Sequence, residues 1–535
     1  MIDLTMKTSV TAALRQGDMK RATELALDAL NHGQTDALYL NLRAQLYEVH
    51  GRNREALADL EAAHALAPRD TGVLEALGLL RLRLVQNTGA RDAFQRMVEI
   101  APDYAHAHFC LGLAHEVLGE LARAEECFKR ADAMEPGRSQ TLARIASLAA
   151  RKGEWGEARR YANLSLNRNS QEFDAELVLA GADLGEGNTA AVADRLTPLS
   201  NNAALPPEVR ANASTILADA LDEQGNTDAA FHAYTNAGAL FVQAYAPQFA
   251  NRQSAYEQVS ELRAEFAAAP AFPMGPPTTA TTNGEAGHVF LLGFPRSGTT
   301  LLEAILTGNP RIVSTEERDH VGEASSLLEG PGIIAKFGRM SEVEAGRFRR
   351  AYWESVASCG ADVKGRVFLD KLPLNTIKLP LIRRLFPHAK IVFALRDPRD
   401  VVLSCFRRRL GLNPSMFELL TLEGATRFYG AVMDLFETYT KKLALDVTYV
   451  RYEDVVANLE SEARRLCEVI GVEWSSEMHN FAQTSRLSAT PSGLQVKKGL
   501  YETGAGQWKK YERHMSSVLP QLAPWVQRWG YDKSA

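Results

Sequence analysis

Residues 290–300 read Phe-Leu-Leu-Gly-Phe-Pro-Arg-Ser-Gly-Thr-Thr, and this stretch decides the fold of the C-terminal half. An apolar run from Val289 to Leu292 ends at Gly293. A glycine-containing turn follows, and then a helical apolar pattern, Leu301, Leu302, Ile305 and Leu306. Strand, turn and helix in this order form the setting of a phosphate-binding loop, whose backbone N–H groups and helix N-terminus hold an anion. The spacing from Gly293 to Gly298 fits the Walker A pattern, but Thr299 stands where that pattern requires Lys. A loop without that lysine lacks the cation that reaches the β- and γ-phosphates of a nucleoside triphosphate. The expected ligand is therefore a phosphorylated nucleotide other than ATP or GTP in ordinary use.

Outward from the loop, strands and helices alternate. Apolar runs at 366–369, 389–395 and 447–450 read as strands. Helical patterns occupy 301–308, 341–358, 374–386, 399–410, 417–444 and 454–470. Such alternation implies a parallel sheet covered by helices on both faces. Nucleotides bind outside the carboxyl ends of such strands, where Gly293 and the Arg396-Asp397 pair are both expected.

The N-terminal half has a different rhythm. Pro68, Pro102 and Pro136 recur at one constant interval. Ala56, Ala90 and Ala124 lie twelve residues before these prolines, and Leu60, Phe94 and Phe128 lie eight before them. Gly17, Gly51, Gly119 and Gly153 fall on the same lattice, at the turn between two helical patterns. Gly78 and Gly112 take a first-helix position where two helices approach closely. Ala158 with Ala162, Gly187 with Leu196, and Gly225 with Ala230, Tyr234 and Ala237 continue the pattern. About seven units are expected between residues 3 and 245. The period, about 34 residues, resembles that of the tetratricopeptide repeat, a helix–turn–helix unit that is stable only when stacked. Such an array serves either as a spacer or dimerisation stalk, or as a concave surface for a peptide or partner protein. A Pro/Thr/Gly-rich stretch then reads as a linker. The expected division is an array over 1–265, a linker over 266–287 and a second domain over 288–535.

Bulk properties narrow the classes. The chain has 535 residues, more than one core usually holds, and a net charge of -5. No global basic excess points to nucleic acid. The five cysteines are scattered, with no CxxC pair and no metal-ligand cluster. Together with an N-terminus, Met-Ile-Asp-Leu-Thr-Met-Lys, that lacks an apolar signal region, they give a cytoplasmic expectation. No apolar run of about 18 residues suggests a membrane span.

The motifs of the second domain resemble a known family. Pro295 to Thr300 (Pro-Arg-Ser-Gly-Thr-Thr) is similar to the 5′-phosphosulfate loop of sulfotransferases that use 3′-phosphoadenosine-5′-phosphosulfate. Arg396 and Ser404, eight residues apart, resemble that family's 3′-phosphate pair. The closest resemblance is to tyrosylprotein sulfotransferases and their repeat-bearing bacterial relatives, over roughly residues 288–530. It implies an all-α tetratricopeptide solenoid followed by an α/β, P-loop-like sulfotransferase domain with a parallel sheet. Two separated anion sites also suit a donor with a 5′-phosphosulfate and a 3′-phosphate, and the product would be adenosine 3′,5′-bisphosphate. Arg296 would add a forked cation, and Ser297, Gly298, Thr299 and Thr300 would add hydroxyl and backbone donors. No metal is implied.

The resemblance carries further roles. Glu317, the second Glu of the pair in Ser-Thr-Glu-Glu-Arg-Asp-His, takes the place of the base that receives the acceptor's proton, ahead of Glu316. His320 is the alternative base. Lys371 takes the place of the lysine beside the donor's bridging oxygen, and Ser492 that of a serine that bonds the donor. Arg408 and Tyr452 match nucleotide contacts. Gln495, Lys498 and Tyr501 match a C-terminal closing segment, and Trp508 the tryptophan after it. The chain departs from the pattern at Gln507, where relatives carry Lys or Arg, leaving Lys509 or Lys510 to supply the charge. The implied acceptor is a protein or peptide tyrosine, with a carbohydrate or small-molecule hydroxyl as the alternative. The array would bind that acceptor protein, another partner or a second copy of the chain. An inactive scaffold is the remaining reading.

Overall fold

A computed structural model describes residues 2–84, 86–250, 252–270, 284–408, 410–481 and 504–532, with side chains from residue 6 onward. Its chain folds into two compact units. The first comprises Met1–Ile216 and Gln243–Asn251, and the second Leu217–Val242 and Arg252–Ala535.

The helices keep the period written in the sequence. First helices begin at Ala37, Thr71, Ala105, Ser139, Phe173 and Pro207, at one constant step. Second helices begin at Met19, Asn53, Asn87, Leu121, Trp155 and Thr189 with the same step, and the one that follows Pro207–Glu223 begins four residues late, at Thr227. The small first-helix position has a direct cause. A Cβ at Gly112 would lie 2.6 Å from Cε1 of Phe128, and one at Gly78 would lie 2.3 Å from Cε1 of Phe94. Both rings are fully buried, so the second helix of each unit drives an aromatic into the backbone of the first. Gly112→Ala should therefore destabilise the chain by about 1–3 kcal/mol through overpacking, read as an earlier urea midpoint of the array transition. An unchanged midpoint would show that the ring can yield.

The second unit is built on a five-stranded, fully parallel sheet. Its strands are β1 (Gly287–Gly293), β2 (Ile312–Ser314), β3 (Val367–Lys371), β4 (Lys390–Leu395) and β5 (Val447–Arg451), in the order β2-β3-β1-β4-β5. Alternate residues supply the two covered faces. Phe290, Leu292, Phe368, Ile391 and Phe393 join one apolar cluster, and Val289, Leu291, Val367, Leu369 and Val392 the other. Both faces are apolar because both are buried, which explains the near-continuous apolar runs. The strand order reverses about β1, which lies between β3 and β4, and this places the expected ligand crevice at its carboxyl end.

Several boundaries differ from those expected. The short edge strand β2 was not anticipated. The 374–386 helix is a 3-10 turn (Pro373–Lys378) followed by the helix Leu379–Leu385. The 454–470 helix breaks at Asn458 into Tyr452–Ala457 and Leu459–Ile470.

The largest difference concerns the domain division at 265/266. Residues 217–242 and 252–268 belong with the sheet unit. Ala218, Tyr234, Ala255, Val259, Leu262 and Phe266 share one apolar core with Phe290 and Phe393. The helix Ala255–Ala268 starts with a capping box between Ser254 and Glu257 and packs on the helix Leu422–Lys442, where Phe266 meets Tyr439 edge-on at 4.7 Å. The sequence lattice slips there: Gly225, Ala230 and Tyr234 follow Gly187, Val192 and Leu196 by 38 residues rather than 34, after the lengthened helix Pro207–Glu223, and the slip marks the place where residues change core.

Candidate active site

Three adjacent strands deliver the site. β3 ends at Lys371, β1 runs into the 294–298 loop, and β4 is followed by Arg396. In register, Leu291 pairs with Lys371 and Gly293 with Ala394, so the three ends lie side by side. The buried hydroxyl of Thr376 donates to the Gly293 carbonyl at 2.9 Å, fixing the end of β1.

The loop turns through two left-handed residues, Arg296 (φ 71°) and Gly298 (φ 92°). Gly298 caps the helix Thr299–Thr307, and a Cβ there would lie 2.7 Å from Cδ2 of Tyr452. Glycine is thus required twice over, by backbone conformation and by contact. Arg296 has no such freedom, and a left-handed non-glycine residue costs about 1–3 kcal/mol unless its surroundings hold it. They do. Arg396 donates from Nη1 to the Arg296 carbonyl at 3.0 Å, and Arg296 Nε donates to Ser404 Oγ at 3.0 Å. Ser297, Thr299 and Thr300 are buried at the helix start.

The two anion sites expected from the sequence are therefore contiguous. Arg296 reaches Ser404, which lies in the helix Pro398–Phe406 that follows β4. Arg396 also donates from Nη2 to the Gly504 carbonyl at 2.6 Å and lies over the Tyr452 ring at 4.8 Å. Burial, with Arg408 and Arg396 close by, pulls the Arg296 pKa down to about 10. A cluster of like charges in a buried cleft is an unfavourable arrangement that an anion relieves.

Beside the loop lies the second element. Lys371 is fully buried, and its Nζ sits 2.9 Å from Glu317 Oε1 and 3.1 Å from Glu303 Oε2. Burial works against the ammonium, but Glu303 and Glu317 outweigh it and raise the Lys371 pKa above its ordinary value. Glu303 is steadied by the Ser314 hydroxyl of β2. Asp370, next to Lys371 in β3, accepts from the Tyr352 hydroxyl at 2.8 Å, and burial pushes its carboxyl up to about 7. Glu317 is the exposed member of the group, with a side chain 36% accessible. It is thus the member of the group open to solvent while it holds Lys371.

His320, the alternative base, has another role. Its Nε2 is 2.6 Å from Thr315 Oγ1 and its Nδ1 2.8 Å from Ser355 Oγ, and burial lowers its pKa to about 4. Both ring nitrogens are engaged in tying the loop after β2 to the helix Glu342–Ser358.

Other expected residues fall as follows. Arg408 is held by the Asp219 carboxylate rather than standing on an open helix face. Trp508 is buried beneath the Arg399 guanidinium at 3.9 Å, and its backbone N–H and that of Gly506 both donate to Asp400. Lys510 pairs with Asp222 at 3.2 Å, whereas Lys509 is exposed. Ser492, Gln495, Lys498 and Tyr501 lie outside the described residues.

Glu303, Asp219, Asp222 and Asp400 were not foreseen. Glu303 left a signal, being the lone charge in the apolar helix Leu301-Leu302-Glu303-Ala304-Ile305-Leu306, one turn after Thr299.

Residues 288–476 match the model of the sulfotransferase family. The C-terminal region thus carries that family's signature, and the array precedes it. Among curated proteins, the chain is 25% identical over 348 residues to an uncharacterized protein of Aquifex aeolicus, covering 61% of this chain and 43% of that protein. The match therefore spans less than half of that relative's length. The chain is 24% identical over 275 residues to protein-tyrosine sulfotransferase A of Caenorhabditis elegans, covering 47% of this chain and 69% of that protein. Among solved structures, a tetratricopeptide repeat protein from Parabacteroides merdae is 15% identical, with 46% of this chain and 98% of that one covered and a TM-score of 0.38.

Proposed function

We propose that the protein moves a sulfuryl group from 3′-phosphoadenosine-5′-phosphosulfate to an acceptor hydroxyl, a tyrosine of a protein or peptide. The observation that carries this reading is Lys371, buried between Glu303 and Glu317 and one strand away from the loop that bears Arg296. The donor fits the cluster chemically. Arg296 and the N–H groups at the start of Thr299–Thr307 suit the 5′ end, and Arg396, Ser404 and Arg408 suit a 3′-phosphate.

Transfer requires the acceptor oxygen to bond sulfur while the bond from sulfur to the bridging phosphate oxygen breaks. Glu317 takes the acceptor's proton, and Lys371 and Arg296 stabilise the negative charge that gathers on the leaving phosphate. Preorganised cations are effective here because the site is buried and needs little reorganisation. The tyrosine acceptor is supported by the likeness to enzymes described as protein-tyrosine sulfotransferases. We assign the array the recruitment of the acceptor-bearing protein.

Incubating the full chain with donor labelled on sulfur and with tyrosine-bearing peptides tests the reading. Label should enter peptide, and mass spectrometry should place one sulfate on tyrosine. Label on a sugar or small molecule alone would reassign the acceptor. Absence of turnover, with nucleotide still bound, would make the chain a scaffold.

A further inference from the structure

The arginines beside the cleft are held by carboxylates from a segment that the sequence lattice assigns to the repeats. We propose that Asp219, one turn before the end of the helix Pro207–Glu223, is a positioning residue for the donor: it holds Arg408 in place for the 3′-phosphate. This rests on the donor reading above.

The geometry is specific at both carboxylate oxygens. Oδ2 of Asp219 accepts from Arg408 Nη1, and Oδ1 accepts from the Tyr234 hydroxyl at 2.5 Å. Tyr234 is 2% exposed and meets Phe406 edge-on at 6.2 Å, so the carboxylate is anchored to the same helix that carries Ser404. One helical turn later, Asp222 accepts from Arg407 Nη2 at 2.5 Å, from the Tyr511 hydroxyl at 2.7 Å and from Lys510 Nζ at 3.2 Å. Two acidic residues on one helix face thus meet two consecutive arginines, while Asp222 also holds the Gln507–Tyr511 turn that carries Trp508. The pairing matches in register as well as in sign.

The physical need is clear. Arg296, Arg396 and Arg408 carry like charges close together, and Arg408 has a long side chain that would otherwise escape to water. A carboxylate tied to a buried tyrosine prevents that escape at one guanidinium nitrogen. The planar fork can still present its other edge to a phosphate. Asp219 therefore lowers the ordering cost of binding.

Calorimetry on the full chain tests this with two probes, adenosine 3′,5′-bisphosphate and adenosine 5′-phosphate. Asp219→Asn should weaken the bisphosphate about tenfold, the worth of one charge-assisted contact, and leave the monophosphate nearly unchanged. Arg408→Gln should do the same, and the double variant should be no worse than Arg408→Gln alone. If Asp219→Asn fails to fold, Tyr234→Phe, which removes only the Oδ1 partner, should give a smaller loss with the same 3′-phosphate selectivity. Equal losses for both nucleotides, additive losses in the double variant, or no loss would overturn the proposal while the donor reading stands. If the unaltered protein binds no bisphosphate, the donor reading itself fails.

Discussion

Lys371→Met is expected to lower turnover by about 100- to 1000-fold, the usual loss when a cationic or hydrogen-bonding stabiliser of the developing charge is removed. It should also lower stability. Lys371 is fully buried against Glu303, which is itself 8% exposed at the side chain, and removing one member of a buried pair typically costs about 3–5 kcal/mol. The two effects separate in a second variant. Adding Glu303→Gln removes the stranded carboxylate, so the double variant should regain most of the lost stability and none of the lost turnover. Thermal unfolding and a sulfur-label assay on the same preparations measure both. Recovery of turnover along with stability would reduce Lys371 to a packing element.

Glu317→Gln should lower turnover by about 100- to 10,000-fold while adenosine 3′,5′-bisphosphate binds as before. The amide keeps the shape of the carboxylate, and its oxygen can still accept from Lys371. Proton acceptance and the negative charge beside Lys371 are lost, while Glu303 still pairs with the ammonium. His320→Ala provides the contrast. That ring is pinned between Thr315 and Ser355, so its loss should appear in thermal stability before it appears in the rate on the folded protein. A Glu317→Gln protein that turns over at the original rate would place the base elsewhere.

Much of this site was legible in the sequence because its parts are local. A loop between strand and helix declares itself through Gly298, the flanking apolar runs and the missing Walker lysine. Arg396 and Ser404 are eight residues apart on one strand–helix connection, so their spacing survives as a motif. Glu317 and Lys371 were placed by resemblance, and the geometry brings them to 2.9 Å. What could not be read is the partner of each charge. Asp219 meets Arg408 across 189 residues, and nothing local at either end records the meeting. Glu303 could have been suspected as a lone charge on an apolar helix, but its engagement with Lys371 depends on the registry of β1 with β3. The array was legible for the opposite reason, because its contacts recur with every repeat. At the boundary the regularity fails by four residues, Tyr234 following Leu196 by 38 rather than 34, and the side chains beyond that slip join another core.

The position of that boundary limits how such a chain can be rebuilt by recombination. A fusion joined at the Pro/Thr-rich stretch would leave the sheet unit without Tyr234, Val259, Leu262 and Phe266, and so with apolar surface open to solvent. Exchange of repeats is compatible with an intact sheet unit only upstream of Leu217. There, gain or loss of one full repeat shifts every later helix by a whole unit and preserves its phase. The number of repeats can therefore vary among descendants of this gene, while the final helices must be inherited with the sheet unit.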